Sequence, residues 1–103
     1  MYRITGKTVD TNNTVFEVKR EGSWLEGCIH DKGVNIWAVN SVRKGDLKRM
    51  LNTVVQKTRK DNITFTMVIN DNLKQVLHGF KEGQVWFEPC KEYITVLEGV
   101  WRI

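Results

Sequence analysis

The sequence predicts an α+β fold in which one mixed, mainly antiparallel sheet of six to seven strands carries two helices. Three observations support this prediction. The first forty residues alternate apolar and polar side chains, with turn-forming clusters between the runs, which is typical of a strand meander. Residues 46–59 change to a helical period. A short apolar run, a second helical stretch and two strand-like runs follow, so the expected order is ββββαβαββ.

Turn signals divide the first forty residues into four predicted strands. The cluster DTNN separates YRITGKTV from TVFEVKRE, because its side chains favour local hydrogen bonds over strand pairing. SWLEGCIHD is the third predicted strand, and a DKG turn leads into the fourth, KGVNIWAV. Alternation in the fourth strand predicts one face made of Val34, Ile36 and Ala38, and an opposite face made of Trp37 and Val39.

Helices and strands alternate in the rest of the chain. Apolar residues at helical spacing predict an amphipathic helix from Asp46 to Arg59, and a second helix follows NDN and ends near Gly79. ITFTMVIN lies between the two helices, and a strand joined to the fourth strand by a helix normally runs parallel to it. QVWFE and YITVLEGVWRI close the sheet. The apolar helix positions are Leu47, Met50, Leu51, Val54 and Val55 in the first helix, and Leu73, Val76, Leu77 and Phe80 in the second.

Length and composition limit the class of protein. A chain of 103 residues suits a single domain, 1–103. It contains no apolar run of 18 residues, and its start lacks the apolar core of a signal peptide, so the expected location is the cytoplasm, with no membrane partner. Cys28 and Cys90 form no C-x-x-C pair, which predicts free thiols and no metal site.

The formal charge is +4, and much of the positive charge is concentrated in one segment. This charge permits an anionic partner, such as nucleic acid or a nucleotide-like cofactor, without requiring one. A solvated helix face is the alternative interpretation. The basic residues of the segment are Arg43, Lys44, Lys48, Arg49, Lys57, Arg59 and Lys60.

The stretch IWAVNSVRKGDLKRML, residues 36–51, passes from a strand through a short turn into a helix. The start of a helix exposes unpaired backbone N–H groups, and the helix dipole adds partial positive charge there. Gly45 allows a ligand to approach the backbone, and Arg43, Lys44 and Lys48 can neutralise an anion. The stretch therefore predicts a phosphate cradle, with an ordinary turn glycine as the alternative.

From roughly Thr14 to Trp101 the chain resembles the GNAT superfamily of acyl-CoA-dependent N-acyltransferases, in a compact form without the usual N-terminal helices. The order of elements carries most of the resemblance. VNSVRKGDLKRML is similar to the family's Q/R-x-x-G-x-G/A loop, NDNLKQVLHGFKE to the segment that leads to a G-F pair, and EYITVLEGVW to the closing strand. The matching residues are Val39, Arg43 or Lys44, Gly45, Asn70, Gly79 and Phe80.

This resemblance implies acetyl-CoA, or another acyl-CoA, as cofactor and an amine as acceptor. In the family, backbone amides of the loop bind the coenzyme A pyrophosphate. Carried onto this chain, the predicted cofactor-binding residues are Ala38, Val39, Arg43, Lys44, Gly45, Asp46, Leu47, Lys48 and Asn70.

The resemblance also implies direct transfer without a covalent intermediate. A water or a carboxylate such as Glu26 would deprotonate the amine, which would attack a thioester carbonyl polarised by a strand amide near Val39. Gln75 occupies the position at which many relatives carry the tyrosine that protonates the departing thiolate. Tyr93 is therefore the predicted acid, and Cys28 and His30 are further candidates.

Two other functions remain open at this stage. A binding or interaction protein that keeps the fold without its chemistry, as small accessory and viral proteins can, is favoured by four tryptophans; uncovered sheet surface would then suit a homodimer or a protein partner. A basic nucleic-acid-binding domain is less favoured. No nucleic-acid-binding motif is present, and Asp46, Asp61 and Asp71 dilute the positive charge.

Overall fold

The computed structural model describes residues 1–67 and 71–103, and within those ranges the elements follow the predicted order. This confirms the α+β class and the order ββββαβαββ. The strands are β1 (Tyr2–Lys7), β2 (Thr14–Arg20), β3 (Ser23–His30), β4 (Gly33–Asn40), β5 (Asn62–Phe65), β6 (Lys81–Phe87) and β7 (Glu92–Val100). The helices are α1 (Asp46–Thr58) and α2 (Asp71–Val76).

The seven strands form one mixed sheet in the order β1-β2-β3-β4-β5-β7-β6. β4 and β5 are parallel, with Val34 opposite Ile63 and Ile36 opposite Phe65, and the other neighbours are antiparallel. The parallel crossover through α1 was predicted, and the reason is physical: two parallel strands need a long connection, which a helix supplies.

A single apolar cluster joins both helices to the sheet. α1 buries the side chains at its predicted apolar positions against inward-facing residues of the central strands, and α2 adds Leu73 and the turn after it adds Leu77. Both helices therefore lie on the same face of the sheet. The fully buried large side chains of the cluster include Phe16, Leu25, Ile36, Met50, Leu51, Ile63, Phe65 and Leu77.

Two predicted elements are shorter in the structure than in the sequence interpretation. α2 ends at Val76, and a turn follows in which the N–H of Phe80 bonds to the carbonyl of Leu77 at 2.8 Å. β5 covers Asn62–Phe65, whereas the predicted strand extended over residues 63–70. Residues 68–70 lie outside the described part of the chain. No helix in the described ranges is long and apolar enough to cross a membrane.

β4 contains a bulge, which simple alternation does not predict. Glu26 pairs with Ala38 but Gly27 pairs with Ile36, so Trp37 is an extra residue on β4. One extra residue moves the side chains that follow it to the opposite face of the sheet. Val39 consequently packs against the core cluster that contains Ile36, and the prediction that it lies on the opposite face was wrong.

Gly27 makes the bulge sterically feasible. A Cβ atom on Gly27 would lie 2.1 Å from the carbonyl oxygen of Asn35 and 3.0 Å from the Cα of Ile36. Both contacts are to the backbone of β4, which cannot move aside as a flexible side chain can. β3 and β4 therefore approach one another here at a distance that only glycine permits.

Gly27→Ala is expected to lower the free energy of unfolding by about 3 kcal/mol, because the new methyl group must displace the backbone of β4. Urea denaturation of both proteins measures the difference. The matched control is Gly79→Ala, since a Cβ at Gly79 would meet no heavy atom within 4 Å. Equal losses in the two variants would contradict the close approach at Gly27.

Candidate functional site

A cleft opens where β4 and β5 separate. Just beyond the paired residues, the Thr66 N–H donates to the carbonyl of Ile36 and the Thr66 hydroxyl donates to Oδ1 of Asn35, each at 2.9 Å. β4 then continues to Asn40, and within the described ranges only β3 pairs with this last part of it. The space has a volume of about 670 Å³. Its described lining consists of Val39, Asn40, Ser41, Val42, Arg43, Lys44, Gly45, Leu47, Lys48, Met67, Asn72, Leu73, Gln75 and Val76.

The first turn of α1 supplies backbone donors at this cleft. Gly45 is the N-cap, has a left-handed φ of 88° and offers no side chain to cap the helix. The N–H of Asp46 bonds to Arg43, and the N–H of Arg49 bonds to Gly45. The N–H groups of Leu47 and Lys48 have no hydrogen-bond partner among the described residues, so they are available to an anion.

Lys44 and Lys48 add two cations to the same wall. Both line the cleft, and neither forms an ion pair with any residue in the ranges 1–67 and 71–103. Gly45 lies between them and carries no side chain, and a Cβ there would lie 3.3 Å from Nη1 of the flexible Arg49 side chain. Among the described residues, the turn thus combines two lysines without an ion pair, two N–H groups without an acceptor and a glycine, which together fit a phosphate group.

Arg43 also lines the cleft, but its charge is engaged elsewhere. Its guanidinium contacts the Glu21 carboxylate at 2.5 Å, the Asp46 carboxylate at 3.3 Å and the backbone carbonyl of Glu21 at 3.1 Å. The hydrogen bond to Asp46 and the nearby Glu21 charge raise the pKa of Arg43. Its contacts hold the loop against the turn between β2 and β3.

Asp46 is the buried anion of this region, with 2% of its surface exposed. The Ser23 hydroxyl donates to its Oδ2 at 2.6 Å, while Arg20 and Arg49 approach its Oδ1 at 3.5 and 3.8 Å. The hydrogen bonds from Ser23 and Arg43 lower the pKa of Asp46, although burial opposes them. The carboxylate is therefore ionised and held inside the protein.

The structure brings most of the predicted cofactor-binding residues together. Val39, Arg43, Lys44, Gly45, Leu47 and Lys48 line the cleft, whereas Ala38 and Asp46 are not among its lining residues. Asn70 lies outside the described residues. The cleft also includes five residues that the loop motif does not contain. They come from the segment after β5 and from α2: Met67, Asn72, Leu73, Gln75 and Val76.

Glu26 and Tyr93, the predicted catalytic residues, lie elsewhere. Glu26 is half-buried on β3, opposite Ala38, and its carboxylate accepts the Trp37 indole N–H at 2.8 Å. Tyr93 is 66% exposed on β7 and makes an edge contact with Trp86, with ring centroids 5.2 Å apart. Neither is among the residues that line the cleft.

Cys28 and His30 are also placed away from the cleft. Cys28 is buried, and burial raises the pKa of its thiol, so the thiol stays protonated and is a poor nucleophile. His30 lies at the end of β3, where its Nδ1 accepts the backbone N–H of Lys32 at 3.3 Å. Within the described ranges, no three His, Cys, Asp or Glu side chains come together as a metal site.

Comparison with known proteins identifies a solved structure with a similar fold. The chain is similar to the crystal structure of a protein from Agrobacterium tumefaciens described as a candidate acetyltransferase, with a TM-score of 0.57 and 16% sequence identity. The match covers 97% of this chain and 76% of the other. No protein-family model and no curated protein sequence matches the chain. The shared architecture, together with the confirmed element order, supports a GNAT-like fold.

Asp46→Asn is expected to destabilise the protein at neutral pH, because three arginines would lose their buried counter-charge. The folded pKa of Asp46 lies below its ordinary value of 3.8. Its stabilising contribution is therefore complete above pH 3.8 and is lost as the pH falls through the folded pKa. Urea denaturation should show a constant difference from pH 7 to about pH 5 that shrinks in stronger acid.

The control for this experiment is Asp10→Asn, which removes an exposed carboxylate from the turn after β1. It should leave stability unchanged at neutral pH within about 0.5 kcal/mol. A difference between wild type and Asp46→Asn that did not diminish in acid would show that lost packing, rather than charge, causes the effect.

Proposed function

We propose that the cleft binds an acyl-CoA, with the pyrophosphate at the first turn of α1, and that the protein acts as an N-acetyltransferase-like enzyme on an amine. The observation that carries this proposal is that one wall holds Lys44 and Lys48, which form no ion pair with a described residue, and two backbone N–H groups that bond to no described residue. The likeness in fold to a candidate acetyltransferase supports it. The seven-stranded sheet alone would not support the proposal, because one fold serves many functions.

The separated end of β4 fits the acyl end of such a donor. Past Ile36 the β5 side of β4 has no strand partner among the described residues, so backbone N–H groups near Val39 are free to polarise a thioester carbonyl. The amine nitrogen would attack this carbonyl, the carbon–sulfur bond would break, and the thiolate would take up a proton. We propose Glu26 as the base that accepts the amine proton and Tyr93 as the acid.

A second candidate function is coenzyme binding without transfer. Its support is the chemistry of the cleft wall: the described lining residues include no carboxylate, tyrosine, histidine or cysteine. Gln75, which stands at the family's tyrosine position, does line the cleft and cannot act as an acid. This candidate function shares the binding site and differs only in the chemical step.

Nucleic-acid binding is the weakest candidate. The basic segment is divided between the two ends of a 13-residue helix, about 20 Å apart. At one end Arg43 and Arg49 face the buried Asp46, and at the other the Lys60 ammonium donates to the carbonyl of Asp31 at 3.1 Å. The cations therefore do not form the continuous stripe that tracks a phosphate backbone.

The double substitution Lys44→Gln/Lys48→Gln is expected to weaken acetyl-CoA binding at least about tenfold, because each lysine loses a charge-assisted contact to phosphate. Isothermal titration calorimetry measures the affinity and the stoichiometry. The matched control is Lys57→Gln, at the far end of the same helix, which should bind as wild type does. Equal acetyl-CoA affinity in the double variant and wild type would contradict an anion site at the first turn of α1.

Catalysis is tested separately from binding. Glu26→Gln should lower the acetyl-transfer rate at least about tenfold while acetyl-CoA affinity stays unchanged, because Glu26 lies outside the cleft lining. Tyr93→Phe tests the acid in the same assay, and a rate equal to wild type would exclude Tyr93. If wild type binds acetyl-CoA but transfers to no amine in a screen, the non-catalytic function is correct.

A further inference from the structure

The outer edge of the sheet, β6, is exposed on both of its faces. Val85, Trp86 and Phe87 are 45%, 48% and 41% exposed, and Tyr93 beside them on β7 is 66% exposed. Val85 and Phe87 alternate with Trp86, so the apolar surface extends over both sides of the strand. Large apolar side chains concentrated at one edge are typical of an interface, not of a solvated surface.

The backbone of β6 is also unpaired on its outer side. Its ladder with β7 is regular from Lys81 to Phe87. Apart from that ladder, the only bond to its backbone from the described residues is the turn contact from the Cys90 N–H to the carbonyl of Phe87. A row of free N–H and C=O groups is a template for another strand.

The opposite edge, β1, shows how an edge is normally protected. Its pairing with β2 is interrupted by a register shift between Ile4 and Gly6, which distorts the edge. Its exposed positions include the cations Arg3 and Lys7. Bulges and charges of this kind prevent edge-to-edge association. β6 has no register shift and no proline, and its second half has no charge.

We propose that β6 is a homodimer interface at which two copies of the chain join in one continuous antiparallel sheet. Two-fold symmetry about an axis through an antiparallel pair requires one residue to lie opposite its own copy. β6 has seven residues, so it pairs along its full length only when Gln84 is opposite Gln84 of the second copy. No residue of β6 is among those that line the cleft, so the interface does not depend on acyl-CoA binding there.

The charges of β6 are compatible with this register. Lys81 comes opposite Phe87 of the second copy, and Glu82 comes opposite Trp86, so no like charges face each other. Val85 comes opposite Gly83, which leaves room for its side chain, and the two glutamine amides can bond to each other. Centring on Val85 would instead put Glu82 opposite Glu88. The self-complementarity of the strand is the reason to choose a second copy over an unrelated partner.

Sedimentation velocity tests the association. Wild type should sediment at twice the chain mass of 12.0 kDa at high concentration and dissociate on dilution. Val85→Lys should remain monomeric over the same range, because it places a charge within the interface. Val9→Lys is the matched control: it makes the same change at a fully exposed position outside the edge and should leave the dimer intact.

Disulfide cross-linking tests the register in a Cys90→Ser background, which removes the exposed native thiol. Gln84→Cys should form a covalent dimer on mild oxidation, since opposed residues of paired strands have suitable Cα separations. Lys81→Cys should not, because the two copies of position 81 would be about 20 Å apart. A monomeric wild type, a dimer that survives Val85→Lys, or equal cross-linking through position 81 would overturn the proposal.

Discussion

The buried carboxylate of Asp46 joins three segments on which the cleft depends: the start of β3, the loop after β4 and the first turn of α1. Removing an ionised group from water is costly unless it is hydrogen-bonded and paired, and Asp46 is paired with Arg43 and bonded by Ser23. The Ser23 Oγ also accepts the N–H of Val42 at 2.9 Å, so the start of β3 holds the loop on both sides of Arg43. The position of Gly45, and with it the start of α1, is therefore fixed without a side-chain cap.

This arrangement leaves the helix terminus free for an external anion. An acidic residue in the first turn normally satisfies the helix dipole itself. Asp46 points inward, where arginines offset its charge, while the N–H groups of Leu47 and Lys48 at the cleft bond to no residue in the described part of the chain. One acidic side chain thus stabilises the fold around the turn without occupying the position that a phosphate would take.

Local patterns determine how much the sequence could predict. The element order and the start of α1 at Asp46 follow from side-chain periods and turn residues. The predicted turn from Val39 to Lys48 contributes all of its residues except Asp46 to the cleft lining. The bulge in β4 could not be predicted from the sequence, because it depends on the close approach of two backbones at Gly27. The inward orientation of Asp46 could not be predicted either, because its partner Ser23 lies 23 residues earlier in the chain.

Anion binding and proton transfer differ in what they would require of the sequence. The proposed anion binding uses backbone N–H groups and a glycine besides Lys44 and Lys48, and the backbone part persists as long as β4, the loop and α1 keep their geometry. Proton transfer requires particular side chains, and Glu26 and Tyr93 both lie outside the lining of the cleft. Substitutions during evolution can therefore abolish catalysis while the backbone geometry needed for binding remains. Of the two proposed properties, coenzyme binding would therefore be the more robust, because the proposed amine chemistry depends on a few side chains that the fold does not dictate.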